Sequence, residues 1–114
     1  MPRERIATWP NGRANRLSAR LTETLAGARV ITYDEIERYQ VFAFDPGGSA
    51  RNVDLPPEEV SEGAYLFISN MADAAEIITI RNDAGTTIGT PAQAECSIVW
   101  CDGVNWYGIT GVKS

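Results

Sequence analysis

Histidine is absent from this 114-residue sequence. That removes the usual base for a serine or cysteine nucleophile and the commonest metal ligand. Cysteine is nearly absent, with Cys96 and Cys101 the only two. Five positions apart on one expected strand, their side chains point to opposite faces, so they cannot bridge each other without a break in the strand. A two-cysteine metal site would need further ligands, and histidine is not there to supply them. Both are expected to be free thiols packed as small hydrophobes, which fits a reducing compartment. Long apolar runs are also missing. Nothing approaches the roughly 18 residues of a membrane span, and no apolar segment follows the N-terminal arginines as it would in a secretory signal. The expectation is a soluble protein made in the cytosol.

Catalytic motifs are equally scarce. Asp45-Pro46-Gly47-Gly48-Ser49 has the glycines of a phosphate loop but not its Gly-Lys-Ser/Thr end, and reads as a turn. Asp83 with Gly85 and Asp102 with Gly103 lack the rest of a calcium loop. The acidic residues that could pair for glycoside hydrolysis fall mostly in expected turns and loops, where charge is ordinary. The chain is expected not to be an enzyme and to hold no cofactor or metal.

What is present is an apolar content of 44%, enough for one modest core. The net charge of −5 hides an asymmetry. Residues 1–29 hold six arginines against Glu4 and Glu23, whereas residues 30–114 hold four basic groups against thirteen acidic ones. A basic arm on an acidic body suits docking on something negative. The arginines are interleaved with Ile6, Trp9, Leu17, Leu21 and Leu25, which fits an acidic, partly apolar protein surface better than phosphates alone. Residues 1–28 are therefore assigned to an extended arm, ordered on docking. Its candidate contact residues are Arg3, Arg5, Ile6, Trp9, Arg13, Arg16, Leu17, Arg20 and Leu21. Leu17, Leu21 and Leu25 recur every fourth position, a spacing that fits a short helix over 15–26.

From Arg29 onward the pattern is β. Thr32-Tyr33-Asp34-Glu35 matches a capping box, predicting a turn or two of helix over 33–38. Strands are predicted over 39–44, 52–55, 64–70, 76–81 and 86–90, separated by turn residues such as Asp45-Pro46-Gly47-Gly48 and Asn82-Asp83-Ala84-Gly85. Pro56-Pro57 ends one strand and guards its edge. The apolar run 64–70 reads as a strand buried on both sides, and Glu58, Glu59 and Glu62 as a solvated loop. The clearest local signal is Cys96-Ser97-Ile98-Val99-Trp100-Cys101 joined through Asp102-Gly103 to Val104-Asn105-Trp106-Tyr107-Gly108-Ile109, a predicted type I′ hairpin with Cys101 opposite Val104. One face then carries Ser97, Val99, Cys101, Val104, Trp106 and Gly108. The other carries Cys96, Ile98, Trp100, Asn105, Tyr107 and Ile109.

Both faces are apolar, so the second needs a cover: the arm, a loop or another subunit. Another subunit is preferred in a chain this short, which makes Ile98, Trp100, Tyr107 and Ile109 candidates for self-association. The expected fold is all-β, an antiparallel β-sandwich or jelly-roll-like body over 29–114, with parallel α/β excluded by the lack of crossover helices. Of the aromatics, Trp106 is expected in the core and Trp9 as an anchor in the arm.

Several of these segments resemble a module of tailed-phage structural proteins. They are Val53-Asp54-Leu55-Pro56, Gly63-Ala64-Tyr65-Leu66-Phe67-Ile68-Ser69-Asn70, Ile77-Ile78-Thr79-Ile80, Asp83-Ala84-Gly85-Thr86-Thr87-Ile88 and Trp100-Cys101-Asp102-Gly103-Val104-Asn105-Trp106. The resemblance covers roughly residues 39–110. It is closest to the capsid cement, or decoration, proteins that stabilise the head. It implies a virion protein on the outer capsid surface, made in the host cytoplasm. Such a protein bridges neighbouring major capsid protein subunits as a dimer or trimer, without direct contact to nucleic acid or membrane. The alternative is a receptor- or glycan-binding domain of a tail fibre or spike, with exposed aromatics beside polar loop residues such as Asn105. An assembly chaperone or inhibitor is a third possibility.

Overall fold

The computed structural model describes residues 20–112. Strands dominate: β1 (Arg20–Thr24), β2 (Arg29–Val30), β3 (Val41–Asp45), β4 (Arg51–Asp54), β5 (Tyr65–Asn70), β6 (Ile78–Arg81), β7 (Thr87–Gly89), β8 (Glu95–Cys101) and β9 (Trp106–Val112). One short helix, α1 (Tyr33–Arg38), lies between β2 and β3. Its capping box forms as expected: Thr32 Oγ1 accepts from the Glu35 N–H, and the Thr32 N–H donates to Glu35 Oε1 at 3.0 Å. This pairing satisfies two of the donors that a helix start leaves open. The acidic stretch after Pro57 makes a single 3-10 turn, Glu58–Val60.

The strands sort into two mixed sheets, and here the antiparallel expectation is corrected. One sheet has the order β1-β3-β5-β8-β9 and the other β2-β4-β6-β7. β1, β3 and β5 pair in parallel, as do β2, β4 and β6. Only β6–β7, β5–β8 and β8–β9 are antiparallel. Parallel neighbours need a long crossover, which is usually a helix. From β1 to β6 successive strands belong to opposite sheets, so a strand of one sheet lies in the crossover of the other. Lack of helices therefore did not exclude parallel pairing.

The core lies between the sheets. Phe42, Phe44, Leu66, Ile68 and Val99 from the first sheet meet Val53, Ile78 and Ile80 from the second, all buried. The arm read from sequence overlaps this body. Arg20 and Leu21 lie in β1, in register with Val41 and Phe42, and Leu25 is buried. A spacing of four between leucines is a multiple of the strand period as well as near the helical one, so Leu21 and Leu25 fit a strand entering the core. The remaining arm candidates, Arg3, Arg5, Ile6, Trp9, Arg13, Arg16 and Leu17, lie outside the described residues.

Arg29, counted among the basic charges, is neutralised internally. Its guanidinium bonds Glu23 at 2.9 Å and Glu35 at 2.7 Å and sits 5.6 Å from the Phe44 ring centroid. The Arg29 bonds hold the Glu35 carboxyl below its ordinary range. The cluster ties β1, β2 and α1 together.

Candidate interaction surface

Side chains alternate along each strand of the first sheet, so its two faces can be read separately. The outer faces of the two sheets differ in kind. On the second sheet Asn52 pairs with Thr79 and Asp54 with Arg81, the latter bonded at 2.8 Å. That face is polar over β4 and β6. On the first sheet the outer face is aromatic and aliphatic across β5, β8 and β9.

It is built in rows. Tyr65 stands opposite Trp100, and Trp100 opposite Tyr107. The three are 42%, 39% and 43% exposed. The Trp100 and Tyr107 rings stack, with centroids 6.0 Å apart and planes inclined by 26°. In the next row Phe67, Ile98 and Ile109 are in register, with Val41 of β3 beyond Phe67. Phe67, Cys96, Ile98, Ile109 and Val112 line a shallow pocket of about 260 Å³ on this face. The structure thus brings together the four sequence candidates, Ile98, Trp100, Tyr107 and Ile109. Tyr65 and Phe67 were missed because the run 64–70 read as buried on both sides. In fact only Leu66, Ile68 and Asn70 face the core, and the alternate residues form the patch.

The hairpin register departs from expectation. Cys101 pairs with Trp106, not Val104, leaving 102–105 as the loop. Asp102 Oδ1 accepts from the N–H groups of Val104 and Asn105 at 2.9 and 2.8 Å, and Oδ2 from the Tyr107 hydroxyl at 3.2 Å. The Asn105 and Val104 bonds, in that order, hold the Asp102 carboxyl below its ordinary range. Gly103 adopts a φ of +94° and packs against Glu62. The register shift is two residues, and an even shift leaves every paired side chain on its predicted face. Only Val104 and Asn105 leave the ladder for the loop.

On the inner face Trp106 is buried, as expected, and its Nε1–H donates to the Pro56 carbonyl at 3.0 Å. Cys101 is buried and Cys96 half-buried on opposite faces, both free. Burial raises the Cys101 thiol above its ordinary range, opposed by the bond from the Gly103 N–H. Thiolates are the reactive species. A thiol-alkylating reagent is therefore expected to label Cys96 first in the native protein, and Cys101 only after unfolding. Equal native rates would contradict the placement of Cys101.

Among the described residues, no three histidine, cysteine or carboxylate side chains are grouped to hold a metal. Among the same residues no helix is long and apolar enough to cross a membrane. Comparisons with protein-family models, curated proteins and solved structures find no match for the chain.

Proposed function

We propose that this chain is a non-enzymatic virion structural protein that binds the outer capsid of a tailed phage as a homo-oligomer and bridges neighbouring major capsid protein subunits. The observation that carries the interaction role is the aromatic row Tyr65–Trp100–Tyr107, exposed in register across three neighbouring strands. Exposed contiguous apolar surface of this kind marks protein contacts, and tryptophan and tyrosine dominate their energetics. The virion address comes from the resemblance of residues 39–110. The basic residues 3–16 are the proposed contact to the acidic capsid surface, adding area across subunit boundaries.

The alternative reading, a glycan-binding tail domain, asks for polar groups free to meet sugar hydroxyls beside the aromatics. Asn105 is exposed, but its neighbour Trp106 is buried and Asp102 is engaged by its own loop and by Tyr107, which favours the protein-contact reading. Deletion of residues 1–19 keeps β1 and tests the proposal. The truncated chain is expected to retain its thermal unfolding transition but to lose occupancy on purified heads imaged by electron microscopy. Undiminished occupancy would rule out the basic segment as the capsid contact.

A further inference from the structure

An open sheet edge invites pairing with another chain, and natural edges are blunted by charge, brevity or irregularity. Among the described residues three of the four sheet edges are blunted. β1 carries Arg20 and Glu23, β2 is two residues long, and β7 has three residues with a register shift against β6. β9 has none of these protections. It runs seven residues, Trp106–Val112, contains no charge or proline, and pairs regularly with β8 along its whole length.

The phase of the ladder shows which of its groups are open. The Asp102 N–H bonds the Asn105 carbonyl across the hairpin, and the Cys101 N–H bonds Ala64 on the β5 side. Bonding sites alternate along an antiparallel pair. The backbone N–H and C=O groups of Trp106, Gly108, Thr110 and Val112 therefore point away from β8. Among the described residues β9 ends the strand order of its sheet, and no strand pairs with it on that side.

We propose that β9 pairs antiparallel with β9 of a second copy about a two-fold axis, joining the five-stranded sheets of two chains into one. This rests on the self-association in the function proposed above and gives it a location. The self-complementary register of Trp106–Val112 points to a second copy as the occupant, and charge limits where two copies can touch. Residues 20–112 carry five arginines against fourteen carboxylates, so two copies repel over most of their surface. The stretch Gly103–Val112 contains no charged residue, and contact there brings the fewest like charges together. Two-fold pairing with full overlap sets Ile109 opposite Ile109 on the axis and Tyr107 opposite Gly111, all on the outer face. A β-branched pair and an aromatic ring over glycine are both favourable cross-strand partners. The aromatic rows of both copies then lie on one surface. Of the four self-association candidates, Tyr107 and Ile109 are in the contact, while Ile98 and Trp100 lie one strand inside it.

The test is sedimentation of the full-length chain over a wide concentration range, with three variants. Ile109 is 60% exposed, so Ile109→Lys should fold, which a thermal melt checks. It sets like charges face to face and is expected to raise the dimer dissociation constant about tenfold or more. Trp100→Ala is expected to stay dimeric. Ile109→Cys in a Cys96→Ser background is expected to form a covalent dimer on mild oxidation, because directly opposed residues at a non-bonded site are within disulfide reach. Val104→Cys, at an exposed loop position, is the control and should not cross-link. A dimer that resists Ile109→Lys, does not cross-link at 109 and dissociates with Trp100→Ala would overturn edge pairing while leaving self-association through the sheet face. A monomer at every concentration would overturn both.

Discussion

Replacing Phe44 with alanine is expected to destabilise the chain by about 3–5 kcal/mol, the usual range for emptying a buried phenylalanine site. Phe44 lies in β3, the strand through which β1 joins the first sheet, and is fully buried. Its ring meets Phe42 with centroids 5.9 Å apart and lies beneath the Arg29 guanidinium. The substitution therefore removes core volume and also the apolar floor under the Arg29–Glu23–Glu35 cluster. Denaturant unfolding at neutral pH measures the loss. A change below about 1 kcal/mol would mean that β3 is not the centre of the core. A single domain of this size has a total stability of only about 5–15 kcal/mol, so the variant should be near the limit of folding at physiological temperature.

Trp106→Ala should cost a similar amount, about 3–5 kcal/mol, for a different reason. Trp106 is the inner-face residue that fastens the C-terminal hairpin to the Pro56-Pro57 corner, through apolar contact and the bond to the Pro56 carbonyl. A Trp106→Phe variant separates the two contributions. It keeps most of the ring but leaves the carbonyl unpaired, at a cost of about 1–3 kcal/mol. The aromatic row is mounted on the same hairpin, with Tyr107 next in the chain to Trp106 and Trp100 stacked upon it. Near-ultraviolet circular dichroism should accordingly lose its aromatic signal in Trp106→Ala under conditions where the far-ultraviolet spectrum survives. An unchanged near-ultraviolet spectrum would show that the row does not depend on the Trp106 anchor.

The features that were legible in the sequence are those fixed by neighbours within a few residues. Thr32 and Glu35 are three positions apart, and the capping box they form needs no distant partner. The turns at Asp45–Gly48 and Asn82–Gly85 are marked by residues suited to them, and Gly47, Gly48 and Gly85 do adopt positive φ. Period-two alternation put Ile98, Trp100, Tyr107 and Ile109 on one face and Val99, Cys101 and Trp106 on the other, and the structure keeps that division. The hairpin loop length was not legible. An Asp-Gly pair favours a two-residue turn, but the Asp102 carboxylate captures two N–H groups further along and widens the loop to 102–105. Trp106 then lies opposite Cys101 and reaches Pro56, fifty residues earlier.

By itself the sequence determined a strand-rich body from about residue 39 onward, the short helix over 33–38, where those strands begin and end to within a few residues, and which side chains of the last hairpin share a face. These follow from backbone propensity, local hydrogen bonding and side-chain alternation, all short-range. Only the tertiary structure decided that β1, β3 and β5 run parallel, that Arg20–Thr24 belongs to the sheet, and that Tyr65 and Phe67 join the exposed patch. Each depends on which strand lies alongside another from twenty or more residues away. Strand pairing at that distance is chosen by burial of the whole core between two sheets, which no local pattern encodes.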